Sequence, residues 1–254
     1  MKKRLIILIV FLLFLLSCGG VEETDSDSDE TEDIETSDTD TFDGSEVIKF
    51  KDVNLEKCVR TKTQKPEGEI TVEDVKDVEY LYCDEKGVVV IDGVEKIINL
   101  NYLSLMRNDV KDFSLLKNLK SLKTLGINGN VNVDIKTLGE LNSLEDLRAD
   151  SCGLTELGYI VKLAGLKKLV IQSNNIKSIE EIKNLTGLKN LSVPTNYLKN
   201  DDLPVLLNLV NLEHLNIREN CITDFTVIDQ MKENLPDAEI LGGIIEAQDT
   251  TRCK

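Results

Sequence analysis

Apolar residues return along this chain at an interval of 22: Val78, Leu100, Leu122, Leu144, Leu166 and Leu188, with Leu212 following after 24. Each opens a phrase whose first, fourth and sixth positions are apolar, as in Leu100, Leu103 and Leu105 or Leu166, Leu169 and Ile171. Polar residues fill most of the positions between. That alternation predicts a short strand with one face buried. At the ninth position stands a polar stop: Asn108, Asn130, Asn174, Asn196 and Asn220, with Lys86 and Cys152 taking that place in two phrases. An asparagine there can turn the chain and satisfy backbone groups of neighbouring coils, which burial would otherwise leave unpaired. The stretches between phrases carry apolar residues three apart, such as Val110, Phe113, Leu116 and Leu119, or Ile176, Ile179, Ile182 and Leu185. That spacing suits 3₁₀ turns better than an α-helix on every coil.

A fixed period of this length is the mark of a solenoid, in which each coil buries its apolar side against the next. The motif L-x-x-L-x-L-x-x-N resembles the leucine-rich repeat. The resemblance implies an α/β solenoid: a horseshoe with a parallel β-sheet on its concave side, 3₁₀ or short helices on its convex side, and a cap at each end. The stretch 65–71, followed by 87–94, resembles the entry region of internalin-type leucine-rich repeat proteins of bacteria, and this likeness runs from residue 47 to the end. Such proteins work through an exposed surface and seldom through a catalytic pocket.

Two coils depart from the pattern. The third has Asn132 where an apolar residue is expected, so Val131 or Val133 must turn inward. The sixth is two residues longer and carries Asp201, Asp202, Leu203 and Pro204, which predicts a longer helix on its convex side. For the N-terminal cap, 53–61 has helix-like composition, and Thr71 with Asp74 resembles a capping box opening a second short helix. At the other end 225–235 reads as a capping helix, stopped by Pro236 and followed by a last strand at 238–241.

The N-terminus adds a location. Lys2, Lys3 and Arg4 precede an unbroken apolar run at 5–16, too short to span a bilayer comfortably, which reads as an export signal. The alternative is an anchor that is never cleaved. Leu15, Leu16, Ser17 and Cys18 resemble the bacterial lipobox, and that resemblance implies a lipid on Cys18, which becomes the mature first residue. Gly19 after it resembles outer-membrane sorting in Gram-negative lipoproteins. From 21 to 46 there are 13 acidic residues and no basic one, a composition that stays disordered because it buries too little apolar surface. The leader carries +3 and this tether −13, which leaves about −6 of the total −16 for the folded part. The tether reads as a spacer; a cation-binding tract is the alternative. With no basic stripe to neutralise phosphates, nucleic acid is excluded as a partner. The domains expected are thus a lipoprotein signal at 1–17, lipidated cysteine and linker at 18–46, a cap at 47–77, about seven repeats at 78–227 and a second cap at 228–254.

Six cysteines fall into classes by position. Besides Cys18, Cys58 and Cys83 lie at one end of the solenoid and Cys221 and Cys253 at the other. Export permits disulfides. Four cysteines allow three pairings, and the distance between a solenoid's ends favours Cys58–Cys83 and Cys221–Cys253. Cys152, at a ladder position, should point inward as a small buried residue. Zinc spacing is absent, the chain holds a single histidine, and no cofactor or metal is expected.

The outward side chains of the strands should make the interaction face. Tyr80, Tyr82 and Tyr102 gather three of the five tyrosines of a chain without tryptophan on its first two phrases, beside Met106 and Arg107. Aromatic residues and arginine dominate interface hot spots, so these five are the expected contact centre. The bland reading is that the rings only cover the first coils beside the cap. Arg148, Lys168 and Arg218 extend the candidate face, interleaved with Asp146, Asp150 and Glu219, a mix that also suits a plain solvated surface. His214 has no nucleophile motif near it and no phosphate loop is present, so catalysis is not expected. The function expected is an envelope lipoprotein, sorted to an outer membrane, that binds a protein ligand through its concave face; the alternative is a structural protein holding peptidoglycan or carbohydrate.

Overall fold

The computed structural model describes residues 43–243, 248 and 250–253. The leader, Cys18 and most of the acidic tether lie outside the described residues. Eight three-residue strands form one wholly parallel sheet in chain order: β1 Tyr80–Tyr82, β2 Tyr102–Ser104, β3 Thr124–Gly126, β4 Asp146–Arg148, β5 Lys168–Val170, β6 Asn190–Ser192, β7 His214–Asn216 and β8 Glu239–Leu241. Their register follows the repeat, so Leu81, Leu103, Leu125, Leu147, Leu169, Leu191, Leu215 and Ile240 lie side by side. The three apolar positions of every phrase are buried, and one continuous core runs through all the coils. This is the leucine-rich repeat solenoid.

Behind the sheet the coils return through 3₁₀ turns at Val94–Lys96, Ser114–Asn118, Ile160–Lys162 and Glu180–Asn184. The third coil instead makes one α-turn, α3 Ile135–Leu138, capped by the Asp134 carboxylate, which accepts the Lys136 N–H at 3.1 Å. Its irregularity resolves in one direction: Val131 is exposed, Asn132 takes a left-handed φ of 60°, and Val133 packs against the core. The sixth coil differs from expectation. Its two extra residues build no longer helix but two successive 3₁₀ turns, Asn200–Asp202 and Pro204–Asn208. Proline at the head of the second turn has no N–H to continue the first, so the segment divides there.

The asparagine ladder is the polar spine of this core. Asn108, Asn130, Asn174, Asn196 and Asn220 are all buried. Asn174 is representative: its amide donates to the carbonyls of Ile171 (3.0 Å) and Ala149 (2.9 Å), while its oxygen accepts the N–H groups of Cys152 and Leu154 at 3.0 Å each. One side chain thereby satisfies two adjacent coils. At the fourth coil Cys152 stands in: its thiol donates to the Ile127 carbonyl at 3.3 Å, the carbonyl that Asn130 also reaches. Burial pushes that thiol's pKa up to about 12. The residue before each ladder position is left-handed whatever its identity: Glu85, Arg107, Gly129, Ser151, Ser173, Thr195 and Glu219. Non-glycine residues there cost on the order of 1 kcal/mol. Hydrogen bonds offset this, since the N–H of Arg107, for example, donates to the Asn128 carbonyl at 2.7 Å.

At the N-terminal end, α1 Val53–Thr63 and α2 Val72–Val75 close the first coil. The capping box opens α2: the Asp74 carboxylate reaches back to accept the N–H (2.7 Å) and hydroxyl (2.9 Å) of Thr71. Cys58 on α1 is joined to Cys83 beside β1. Asp52 caps α1, accepting Asn54 and Leu55 N–H on one oxygen, and ties it to the first coil by accepting Val89 N–H at 2.7 Å on the other. Burial penalises the Asp52 charge, but the bonds from Val89, Leu55, Asn54 and Val90 together outweigh it and hold its carboxyl below the usual range. A lowered pKa contributes stability above the unfolded-state value of about 4 and loses it as pH falls through the folded value. Asp52→Ala is therefore expected to cost about 2 kcal/mol at neutral pH, a difference that shrinks in urea titrations run at progressively lower pH below 4. An unchanged gap at low pH would mean that the cap does not depend on the ionised carboxylate.

The C-terminal cap is α4 Thr226–Asn234, which buries Ile228 and Met231, followed by β8. The helix lies within the stretch 225–235 expected to form it. Cys221 is joined to Cys253, and Gln248 accepts the Asn220 N–H at 2.9 Å, as a following coil would have done. Among the described residues no helix is long and apolar enough to cross a membrane.

Candidate interaction face

The strands put alternate side chains on one open face. Tyr80 and Tyr102 face each other in the β1–β2 register, with ring centroids 6.4 Å apart; Tyr82 lies closer to Tyr102, at 5.0 Å. Tyr80 is 45% exposed and Tyr82 59%, so the cluster presents ring area to solvent. Next to it the face drops, because Ser104 and Gly126 are small and buried. A Cβ at position 126 would meet Ser104 Oγ at 3.4 Å and Met106 Cγ at 3.8 Å, so a larger side chain would fill the depression. Met106 is half-buried at its margin.

The other expected contact residues are dispersed. Arg107 is on no strand; it occupies the left-handed turn, exposed and paired with Glu85 across the coils at 2.5 Å. Arg148 turns back to its own strand, with Nη2 2.8 Å from Asp146. Lys168 stands three strands from Tyr102, roughly 14 Å at ordinary strand spacing, and Arg218 about 24 Å. The structure gathers the tyrosines and Met106 and spreads the cations along the sheet.

Two features escape a reading by residue type. The seventh position of several phrases carries an acceptor that serves the backbone of the next coil: Asp84 accepts Met106 N–H at 2.8 Å, and Asp150 accepts Gln172 N–H at 2.7 Å. Asp150 also takes the Asn128 amide at 3.0 Å. Asp150 is not the plain solvated carboxylate that the mixed charges of this face suggest. Instead burial pushes the Asp150 carboxyl above its ordinary value, against the opposing bond from Gln172 and the charge of Arg148. The signal was present in the period, since Asp84, Asn128 and Asp150 share one column. The second feature is a charge ladder on the second position, where Lys123 and Lys167 both hold Glu145 (3.3 and 2.5 Å) and Lys189 holds Glu213 (2.7 Å).

His214 lies toward the other end, its Nδ1 3.0 Å from Glu239, both exposed. With Asn190, Ser192 and Asn216 they line a shallow cleft of about 230 Å³. No group of three or more His, Cys, Asp or Glu side chains that could hold a metal occurs among the described residues.

No protein-family model matches the chain, and no curated protein matches it significantly. Solved structures do. An internalin C2 of Listeria monocytogenes superposes with a TM-score of 0.67 at 29% identity, over 74% of this chain and 82% of that one. A leucine-rich repeat protein of Leptospira interrogans gives a TM-score of 0.53 over 68% of this chain and 50% of that one; at 22% identity that likeness is one of fold.

Proposed function

We propose that this leucine-rich repeat protein, with its internalin-type repeats, is an interaction scaffold that takes a protein partner on its concave face, centred on Tyr80, Tyr82 and Tyr102. The fold is that of a protein-interaction scaffold. The observation that carries the position of the site is the exposure of a three-ring cluster on a face whose other side chains are mostly polar or already paired. Rings of this kind bury much area at small entropic cost when a partner arrives. Arg148, Lys168 and Arg218 would then act at the periphery and set orientation and salt dependence more than affinity.

The test is capture from envelope extracts and cell surfaces by the chain and by its Tyr80→Ala, Tyr82→Ala, Tyr102→Ala variant. A partner held by the first is expected to be lost from the second, with affinity down more than about tenfold. Identical captures from two well-folded baits would move the site away from the rings. Protease treatment of the captured material separates a protein ligand, which is destroyed, from peptidoglycan or carbohydrate, which survives.

The proposal includes a membrane anchor. Lipid on Cys18 would hold the chain to an envelope membrane, with the acidic tether as spacer, since several acyl chains bind far more durably than one. Cys18→Ser is expected to move the protein from the membrane to the soluble fraction. If fractionation still finds it on membranes, the apolar leader itself is the anchor.

A further inference from the structure

The partner's chemistry at this face can be narrowed, and the narrowing rests on the reading just given. Along the sheet, charges of the second column neutralise one another: Glu145 lies between two lysines, and Lys189 pairs with Glu213. The first strand breaks this rule. Glu79 is exposed, and the residue beside it in the next coil is the uncharged Asn101. Asp84 accepts the Ser104 hydroxyl at 2.5 Å and the Met106 N–H, but holds no cation. Glu79 and Asp84 thus flank the strand that carries Tyr80 and Tyr82, and among the described residues neither has a salt bridge. Arg107 is committed to Glu85 and Arg148 to Asp146, and Lys86, two residues past Asp84, is exposed on the turn and paired with neither carboxylate.

Exposed ring faces with uncompensated carboxylates on either side attract positive charge and repel negative charge. A tyrosine face carries the negative end of the ring quadrupole and attracts an ammonium or guanidinium within about 6 Å. This chain already uses that contact elsewhere: Lys162 and Lys136 stand 5.1 and 6.0 Å from the centre of the Tyr159 ring. Among the described residues no lysine or arginine stands over the three rings of the concave cluster. We propose that the Tyr80–Tyr82–Tyr102 cluster receives a lysine or arginine side chain of the protein partner, its charge over the rings and between Glu79 and Asp84. The methylene stem of such a side chain would lie over the small residues Ser104 and Gly126, beside Met106.

The test uses the full chain in detergent with its tyrosines isotopically labelled, titrated with acetyl-Gly-Arg-Gly-amide and with the same peptide carrying citrulline, the neutral isostere of arginine. Three of the five tyrosines belong to the cluster, so Tyr159 and Tyr197 serve as internal controls for fold. The arginine peptide is expected to move the ring signals of Tyr80, Tyr82 and Tyr102 and to bind about two- to fivefold tighter than the citrulline peptide. Tyr82→Leu with Tyr102→Leu, which keeps apolar area and removes the ring faces, should erase that difference while the Tyr159 signal stays put. Equal binding of the two peptides, an unchanged preference in the leucine variant, or no movement of the three rings would overturn the inference. Capture of a protein partner that depends on the rings but shows no preference for positive charge would overturn it too, and would leave the concave-face reading standing.

Discussion

Replacing Asn174 by alanine is expected to remove about 3 kcal/mol of stability, although the substitution adds no bulk and removes no charge. The side chain is buried, and its two carbonyl and two N–H partners belong to two coils. Alanine leaves three of them without a partner, the Ala149 carbonyl and the N–H groups of Cys152 and Leu154, while the Ile171 carbonyl keeps the Asn196 amide at 3.0 Å. An unsatisfied buried group costs on the order of 1–3 kcal/mol, and the full sum is not reached because a water can enter the space and serve several of them. The loss is large against the 5–15 kcal/mol that holds a domain together. Urea titration of Asn174→Ala beside Gln172→Ala reads it, since the Gln172 side chain is exposed two residues earlier in the same coil. Equal midpoints for the two variants would mean that the ladder does not hold the coils together.

How the ladder works also explains what could be read from the sequence. A period of 22 with fixed apolar positions places every inward side chain, because a slip of one residue would turn a whole coil inside out. Val78, Leu81 and Cys83 could therefore be assigned as readily as the central Leu166, Leu169 and Ile171. The left-handed turn before each ladder position was not legible. Residues as different as Glu85, Arg107, Ser173 and Thr195 adopt it, so the conformation is imposed by hydrogen bonds to the next coil and leaves no glycine or asparagine signature. The sixth coil misleads for a similar reason: two extra residues say that the convex side lengthens, but Pro204 decides that it does so as two turns.

The candidate site was legible only in part. Sequence alone places Tyr80, Tyr82 and Tyr102 on one face, because the third and fifth positions of the repeat point outward together. What the repeat cannot convey is which charges on that face are already engaged. Arg107 and Arg148 look available in a string of residues, yet one is tied to Glu85 across a turn and the other folds back onto Asp146. Asp150, which looks exposed, is half-buried and serves the next coil's backbone. Non-repeating residues carry specificity in such a surface, and their pairing depends on distances that periodicity does not encode.

The second large effect is expected at the N-terminal end. Cys58→Ala with Cys83→Ala removes the bridge between α1 and the first coil, which spans 25 residues of chain, and is expected to cost about 3 kcal/mol. The loss should be uneven. In a solenoid each coil contacts only its neighbours, so a weakened cap exposes the first coil and unfolding begins there. Hydrogen exchange should show the amides of α1, β1 and β2 losing protection first, while β4 to β6 keep theirs. Cys221→Ala with Cys253→Ala should do the converse, loosening the Gln248 contact and β8 and sparing the first coils. Because Tyr80 and Tyr82 stand on the strand that the first bridge secures, partner binding at the rings should weaken in the N-terminal variant and not in the C-terminal one. Uniform loss of protection over all coils would show instead that the solenoid unfolds as one cooperative body, with its bridges stabilising the whole. Equal weakening of binding in both variants would point to a contact surface spread along the full sheet.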